Sequence, residues 1–271
     1  IVAAGGAVPA TIAVVGGRVK VGLTDDELEV IARGSDVYKA SRMDLPVLIE
    51  KGWHGATTVA ASIAIAERVG IAVFATGGIG GVHRDAPDTF DVSADLPEIA
   101  QRPVAVVCSG AKTILDIGWT LEYLETLGVP VLGYRTDEMP AFLCRSSGFP
   151  VDYRVESAEE IARVMRTQWG LGFSAGIIVA NPIDPADALD PDWIESIIEE
   201  ALFDAERRGI HGKAVTPFLL AAIQAKTGGR SLKANIALVK GNAGLAAEIA
   251  RSFAVYRPVR PAARIGPRRR A

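Results

Sequence analysis

Residues 104–112 read VAVVCSGAK, five apolar residues that run directly into a short turn ending in a lysine. A continuous run of apolar and β-branched residues is typical of a strand that is buried on both faces. Similar short apolar runs occur at 73–75, 131–134 and 177–180, and segments with helical spacing separate them. This alternation predicts an α/β fold, a three-layer α/β/α sandwich with a largely parallel central sheet.

Local signals predict the remaining elements. Ile12–Val15 and Arg18–Val21 flank a Gly-Gly pair, which is typical of a hairpin. Thr24 and Glu27 have the spacing of a capping box at a helix start. Helical spacing predicts helices at 56–69, 113–127, 158–169, 193–208, 218–226 and 232–253. Only helices are predicted after residue 191, and residues 1–255 are interpreted as a single domain with a helical C-terminal part.

The composition excludes several classes of protein. The chain has 271 residues, of which 49% are hydrophobic, and this hydrophobicity excludes a disordered body. The mean hydropathy is +0.24, but the apolar stretch 56–66 is followed by Glu67 and is far shorter than the ~20 residues of a membrane span. Two cysteines cannot form a disulfide framework, which favours a cytoplasmic location.

The charge is distributed unevenly along the chain. Residues 1–256 contain 32 acidic and 23 basic residues, whereas residues 257–270 contain six arginines and no acid. An acidic body offers no basic face for phosphate backbones, so neither nucleic acid nor a membrane is expected as a partner. Residues 256–271 are interpreted as a disordered Arg/Pro-rich tail.

Three loops follow the carboxyl ends of predicted strands, where ligands of such sheets bind. They are 76–84, 109–112 and 181–182. The first, TGGIGGVHR, does not match a dinucleotide fingerprint, because His83 replaces the third glycine. Two interpretations remain: an anion-binding backbone loop that ends at Arg84, or a tight turn whose glycines need positive φ.

Lys112 is the candidate nucleophile. It follows a buried strand directly, where burial lowers the pKa of an amine and permits Schiff-base chemistry. The helix predicted to start at residue 113 would disfavour a cation there as well. The alternative is an ordinary lysine in a solvent-facing loop.

Two carboxylates, Asp91 and Asp95, lie four residues apart with Ser93 between them. Carboxylates without histidine or cysteine partners suit a hard cation such as Mg²⁺ or Mn²⁺. The alternative is that Ser93 caps a helix whose first turn is acidic. Lys39, in KASR, offers a second cation or simply belongs to a solvated face.

These pieces, in this order, resemble the pseudouridine-5′-phosphate glycosidase family, which includes the indigoidine synthase A-like proteins. The resemblance extends over residues 6 to 250. The matching segments are GAVPATIAVVGGRVKVGLTDDEL, KASRMDLP, GATTVA, FATGGIGGVHR, FDVSADL, CSGAKTILDIGWTLEYLETLGVPVLGY, PAF, VANPI, TPFLL and SLKANIALV.

The resemblance implies an enzyme that reversibly cleaves the C–C glycosidic bond of pseudouridine 5′-phosphate to uracil and ribose 5-phosphate through a lysine Schiff base. It implies a Mn²⁺ cofactor and a cytoplasmic homotrimer whose partners are small molecules. It assigns the covalent nucleophile to Lys112, the Mn²⁺ ligand to Asp91, and substrate-binding positions to Lys39, Val59, Ser93, Ala94, Asp95 and Asn235.

One family feature has no counterpart in this sequence. The family's catalytic glutamate lies in an LEST-like strand, followed by an HGMP-like loop, upstream of the GAVPAT segment. We therefore expect an N-terminally incomplete form of an active enzyme. The alternatives are a catalytically impaired sugar-phosphate-binding relative, or an indigoidine-pathway protein that acts on a related phosphorylated pyrimidine-like compound. The tail from Arg257 matches no family motif.

Overall fold

The computed structural model describes residues 1–210 and 212–255, and the predicted tail at 256–271 lies outside this range. The strands are β1 (Ile12–Val15), β2 (Arg18–Val21), β3 (Val37–Ala40), β4 (His54–Thr57), β5 (Val73–Ala75), β6 (Val82–His83), β7 (Ala105–Cys108), β8 (Leu115–Asp116), β9 (Val131–Tyr134), β10 (Tyr153–Val155) and β11 (Ile177–Ala180). The α-helices are α1 (Asp25–Arg33), α2 (Leu45–Lys51), α3 (Val59–Arg68), α4 (Ala86–Thr89), α5 (Asp95–Gln101), α6 (Ile117–Thr126), α7 (Ala158–Gly170), α8 (Pro191–Arg207), α9 (Val215–Lys226) and α10 (Arg230–Val255).

The central sheet has five strands in the order β10-β9-β11-β7-β5, and every pair in it is parallel. Strand β7 lies between β11 and β5, with Val106 opposite both Ile178 and Phe74. Every residue of β7 and β11 is buried, which explains why both segments are apolar throughout. The predicted parallel sheet is confirmed.

Helices cover both faces of this sheet. Ala105 and Val107 of β7 belong to a core cluster with residues of α7 and α10. Val106 and Cys108 point to the opposite face and join a cluster with residues of α3, α5, α8 and α9. Alternate residues of one strand thus enter two separate cores, as the pleat of a strand requires. The three-layer α/β/α arrangement is confirmed.

A second, four-stranded sheet has the order β2-β1-β4-β3 and was predicted only in part. The β1–β2 hairpin is confirmed, with Val15 opposite Arg18. The capping box of Thr24 and Glu27 is also present at the start of α1. The prediction of a helix from residue 56 is wrong, because residues 54–57 form β4 and pair with β1 and β3.

The helix after Lys112 begins four residues later than predicted. Asp116 is the N-cap of α6, and its carboxylate accepts a hydrogen bond of 2.8 Å from the amide of Trp119. The preceding residues form β8, which pairs with β6. The predicted helix N-terminus directly beside Lys112 is therefore wrong, and any lowering of the lysine pKa needs another cause.

The sequence also predicted a chain without a disulfide framework and without a membrane span. Cys108 and Cys144 are both buried free thiols. Within residues 1–210 and 212–255, no helix combines the length and the apolar character needed to cross a membrane.

Candidate active site

The three predicted loops meet at the carboxyl edge of the central sheet. The amide of Thr76 donates to the carbonyl of Val107 at 3.0 Å, and the amide of Ser109 donates to the carbonyl of Gly77 at 2.8 Å. The amide of Asn181 donates to the carbonyl of Cys108 at 2.8 Å. The strand order β11-β7-β5 brings the loops together, because parallel strands place their carboxyl ends at one edge.

Asn242 of α10 joins all three loops and was missed by the sequence analysis. Its side chain is fully buried and donates to the carbonyl of Thr76 at 2.8 Å. It also donates to the hydroxyl of Ser109 at 3.1 Å, and its oxygen accepts from the amide of the Asn181 side chain at 2.9 Å. The available signal was an asparagine in an apolar stretch of helix, since buried polar side chains are nearly always hydrogen-bonded.

Replacing Asn242 with leucine is expected to lower the free energy of unfolding by about 2–4 kcal/mol, because buried polar partners lose their hydrogen bonds. This corresponds to a fall in Tm of roughly 4–16 °C for a chain of this size. Thermal unfolding followed by circular dichroism measures the change. Lys240→Leu, at an exposed position of the same helix, is the matched control. A Tm of Asn242→Leu equal to that of the control would contradict the role of Asn242.

The glycines of the 76–84 loop are required by close contacts rather than by backbone torsion. None of the four has a positive φ, so the prediction of a tight turn with positive φ is wrong. A Cβ atom at Gly80 would overlap the hydroxyl of Ser93, and one at Gly81 would overlap the hydroxyl of Thr120. The loop is thus packed tightly against its surroundings.

The structure gives Arg84 partners other than an external anion. Its guanidinium forms two hydrogen bonds with the carboxylate of Glu195 and donates to the carbonyl of Thr113 at 2.9 Å. The hydrogen bond with Glu195 raises the pKa of Arg84 above its ordinary value. The predicted anion contact at Arg84 therefore finds no support in this arrangement.

Lys112 follows β7 and lies next to the glycine loop. Its backbone amide donates to the carbonyl of Ile79 at 3.2 Å, and its side chain is half-buried. Burial lowers the pKa of the Lys112 amine, the positive charge of Lys39 lowers it further, and the carboxylate of Asp95 opposes both effects. An amine with a lowered pKa is a better nucleophile at neutral pH. The side chain of Lys112 is thus partly shielded from solvent.

Asp95 connects two predicted substrate-binding regions. The residue is 5% exposed, and its carboxylate accepts hydrogen bonds of 2.8 Å from the amides of Ala60 and Gly80. The hydroxyl of Ser93 accepts from the amide of Asp95 at 3.2 Å, so Ser93 bonds the first residue of α5. The N-cap of that helix is the exposed Ala94. Asp95 thus fixes the glycine loop relative to the start of α3.

Lys39, Val59 and Asn235 are further predicted binding residues, and each lies on a different element. Lys39 is exposed on β3, which pairs with β4 so that Lys39 lies opposite Ala56. Val59 is the first residue of α3, and its side chain is buried. The side-chain oxygen of Asn235 lies 3.1 Å from the position of a Cβ built on Gly77. Asn235 of α10 therefore lies close to the glycine loop, and the start of α3 is joined to the loop through Asp95.

Asp91 lies next to the short β6–β8 sheet. Val92, the residue after Asp91, pairs with Val82 of β6. The next residue of β6, His83, pairs with Leu115, which follows Lys112 by three residues in the chain. The Asp91 side chain is 39% exposed, and its carboxylate oxygen lies 3.8 Å from Nε2 of His83. In the described part of the chain, no group of three or more His, Cys, Asp or Glu side chains is arranged to hold a metal ion.

Comparison with known proteins identifies the family. The sequence profile described as "Indigoidine synthase A like protein" matches residues 1–252. The chain belongs to this family. Among the indigoidine synthase A-like proteins, two similar relatives are named pseudouridine-5′-phosphate glycosidase. The relative from Caldanaerobacter subterraneus subsp. tengcongensis is 59% identical over 92% of this chain and 81% of its own length. The one from Escherichia coli K12 is 55% identical over 92% and 80%. The predicted family is confirmed.

Two solved structures are similar to this chain over most of its length. The prealnumycin C-glycosynthase AlnA, in complex with ribulose 5-phosphate, is 43% identical with a TM-score of 0.88, covering 94% of this chain and 84% of its own. An indigoidine synthase A-like protein from Thermotoga maritima is 38% identical with a TM-score of 0.81, covering 89% and 79%. Both similarities support the fold described above.

Proposed function

We propose that this protein reversibly cleaves the C–C glycosidic bond of pseudouridine 5′-phosphate, with water, to give uracil and ribose 5-phosphate. The observation that carries the proposal is the half-buried Lys112, whose pKa is lowered by burial, at the point where three loops meet. The proposed substrate is inferred from the names of relatives that are 55–59% identical to this chain. The sugar phosphate in the AlnA complex supports the same substrate class.

A lysine suits this reaction because carbon is a poor leaving group. In the proposed reaction the ribose ring opens, so that O4′ leaves C1′ and takes up a proton while the Lys112 amine bonds to C1′. Protonation of uracil C5 then permits the C1′–C5 bond to break, with its electron pair returning to uracil. The nitrogen lone pair of Lys112 forms the iminium. Water adds to C1′ and releases ribose 5-phosphate and the free amine.

Lys39 and the start of α3 are proposed to hold the substrate phosphate. Lys39 contributes a positive charge close to Lys112, and Val59 contributes its backbone amide at a helix N-terminus, which favours anions. Ser93, Ala94 and Asp95 are proposed to contact the sugar. Asn235 is proposed to line the site as a polar residue. None of these side chains needs to change its charge for the reaction.

Asp91 is the proposed ligand of a Mn²⁺ ion. A hard cation of this kind prefers oxygen and commonly keeps several waters while using one or two carboxylates. The partly exposed Asp91 carboxylate fits this mode of binding, even without a cluster of three protein ligands. Mn²⁺ bound there would supply Lewis acidity towards oxygen atoms of the substrate.

Borohydride trapping tests the proposal. The gene product that contains this sequence is incubated with ribose 5-phosphate and borohydride, and the adduct is located by peptide mass spectrometry. We expect a mass increase on the peptide of Lys112, none in Lys112→Ala, and wild-type labelling in Lys51→Ala, an exposed lysine at the end of α2. Equal trapping by Lys112→Ala would refute the role of Lys112. An adduct without uracil release from pseudouridine 5′-phosphate would indicate the impaired sugar-phosphate-binding relative.

The AlnA similarity favours a second candidate, the formation of a C–C glycosidic bond. The same lysine chemistry runs in this direction when uracil or a related carbon nucleophile attacks the iminium. Mixing ribose 5-phosphate with uracil and measuring pseudouridine 5′-phosphate by chromatography tests it. We further propose a homotrimer in the cytoplasm, which sedimentation and cell fractionation test.

A further inference from the structure

Lys112 lies in a segment that has little regular structure of its own. Residues 109–114 connect β7 to the two-residue strand β8. The amide of Lys112 donates to the carbonyl of Ile79 at 3.2 Å, and its carbonyl accepts from the amide of Leu115 at 2.9 Å. Before Lys112, the carbonyl of Gly110 accepts from the amide of Ile79 at 3.0 Å. A nucleophile on such a segment needs further contacts to keep a fixed position, because loops have more freedom than helices and strands.

Arg84 supplies a side-chain contact to this segment. Its guanidinium donates to the carbonyl of Thr113, the residue after Lys112, at 2.9 Å. Thr113 is 6% exposed, and its hydroxyl has no hydrogen-bond partner among the described residues, so it does not hold the segment. The Arg84 contact is therefore a side-chain restraint on the peptide next to the proposed nucleophile.

Glu195 holds the guanidinium in place. It lies on the 17-residue helix α8 and accepts two hydrogen bonds from Arg84, one of them at 3.0 Å. The planar guanidinium can bind a carboxylate at two points and donate to a third group at the same time, which a lysine cannot do. One ion pair thus connects a long helix to the segment of Lys112.

The Arg84–Glu195 pair is separate from the predicted binding residues. Arg84, Thr113 and Glu195 line a cavity of about 570 Å³, and neither Lys112 nor Asp91 lines it. The side chains of Arg84 and Glu195 are 32% and 47% exposed. A change to this pair therefore leaves the substrate-contacting side chains intact.

We propose that the Arg84–Glu195 pair is a positioning device that holds Lys112 in its reactive position by fixing the carbonyl of Thr113. This inference rests on the proposed function. A displacement of about 1 Å from the reactive geometry can lower a rate by about 100-fold, so a restraint one residue from the nucleophile is expected to act on kcat.

The test compares Arg84→Lys and Glu195→Gln with the wild-type gene product. We expect Arg84→Lys to lower kcat for uracil release by about 10- to 100-fold, with KM changed by less than about 3-fold. Glu195→Gln is expected to lower kcat by about 3- to 10-fold, since its amide oxygen still accepts from Arg84. The rate of borohydride trapping at Lys112 should fall in the same ratio. Glu200→Gln, which removes the exposed Lys226–Glu200 pair of the same helix, should match wild type.

Each outcome decides the inference. An unchanged kcat in both variants, or equal losses in kcat and in binding of ribose 5-phosphate, would overturn it. If Arg84→Lys does not fold, Glu195→Gln decides by the same criteria. A wild-type protein that releases uracil but traps no adduct refutes the Schiff base and leaves kcat to decide the positioning role. A wild-type protein without uracil release refutes the proposed function, and the positioning role with it.

Discussion

Lys112→Met is expected to lower kcat/KM for pseudouridine 5′-phosphate by about 10⁴-fold or more, the scale of loss when a covalent nucleophile is removed. Methionine keeps much of the length of the side chain and fills the half-buried position, but it cannot form an iminium. Uracil release followed by absorbance measures the effect. Lys112→Arg should be inactive as well, because arginine remains protonated at all accessible pH values.

The pH dependence of kcat/KM is a second test of the assignment of Lys112. Only the neutral amine attacks C1′, so kcat/KM should rise with pH through the pKa of Lys112, at a midpoint below its ordinary value of 10.5. Lys39→Met removes a positive charge that lowers this pKa, and the midpoint should therefore move to higher pH. A Lys112→Met protein with more than about a tenth of the wild-type kcat/KM would contradict the assignment.

Gly110→Ala is expected to lower the free energy of unfolding by about 3–5 kcal/mol. Gly110 has φ of +86°, a region that costs an L-residue about 1–2 kcal/mol, and its added Cβ would overlap the carbonyl oxygen of Pro140. The same change displaces the segment of Lys112, so activity should fall too. Urea unfolding measures the stability, and uracil release measures the activity.

Gly128→Ala is the matched control for this substitution. Gly128 follows α6 with φ of +70°, but a Cβ there meets no atom within 4 Å. The control therefore carries only the backbone term of about 1–2 kcal/mol. Equal losses of stability at Gly110 and Gly128 would show that the contact with Pro140 does not matter.

The sequence predicted the parts of the fold that depend on local pattern. The strands β7 and β11 are buried on both faces and therefore apolar at every position. Their apolar runs were sufficient to predict them as strands. The capping box of α1 was visible for the same reason, since both of its residues lie within one turn.

The missed elements depend on contacts between distant segments. The strand β4, HGAT, carries no apolar pattern and is a strand only because β1 and β3 pair with it. Its last residues resemble the helix that follows, so the predicted start of that helix was too early. The true start is marked by Thr58, whose hydroxyl accepts from the amide of Ala61. The start of α6 was misplaced in the same way, because the β6–β8 pair is invisible in the sequence.

In the candidate site, too, the features set by local sequence were predicted and those set by distant contacts were not. The position of Lys112 after a buried strand pointed to it from the sequence, whereas its pKa is set by burial and by the charges of Asp95 and Lys39 from other elements. The roles of Asp91 and of the binding residues came from the family resemblance and remain predictions. Asn242 was missed because an asparagine in an apolar stretch of helix does not identify its partners, which are up to 166 residues away.

The position of Asn242 also sets an order of events during synthesis of the chain. Its partners Thr76 and Ser109 precede it by 166 and 133 residues, so the two loops emerge from the ribosome long before the asparagine that ties them together. Long-range contacts of this kind form late in folding. The nascent protein therefore gains an ordered edge at the meeting point of the three loops only after α10 has been synthesised and has docked.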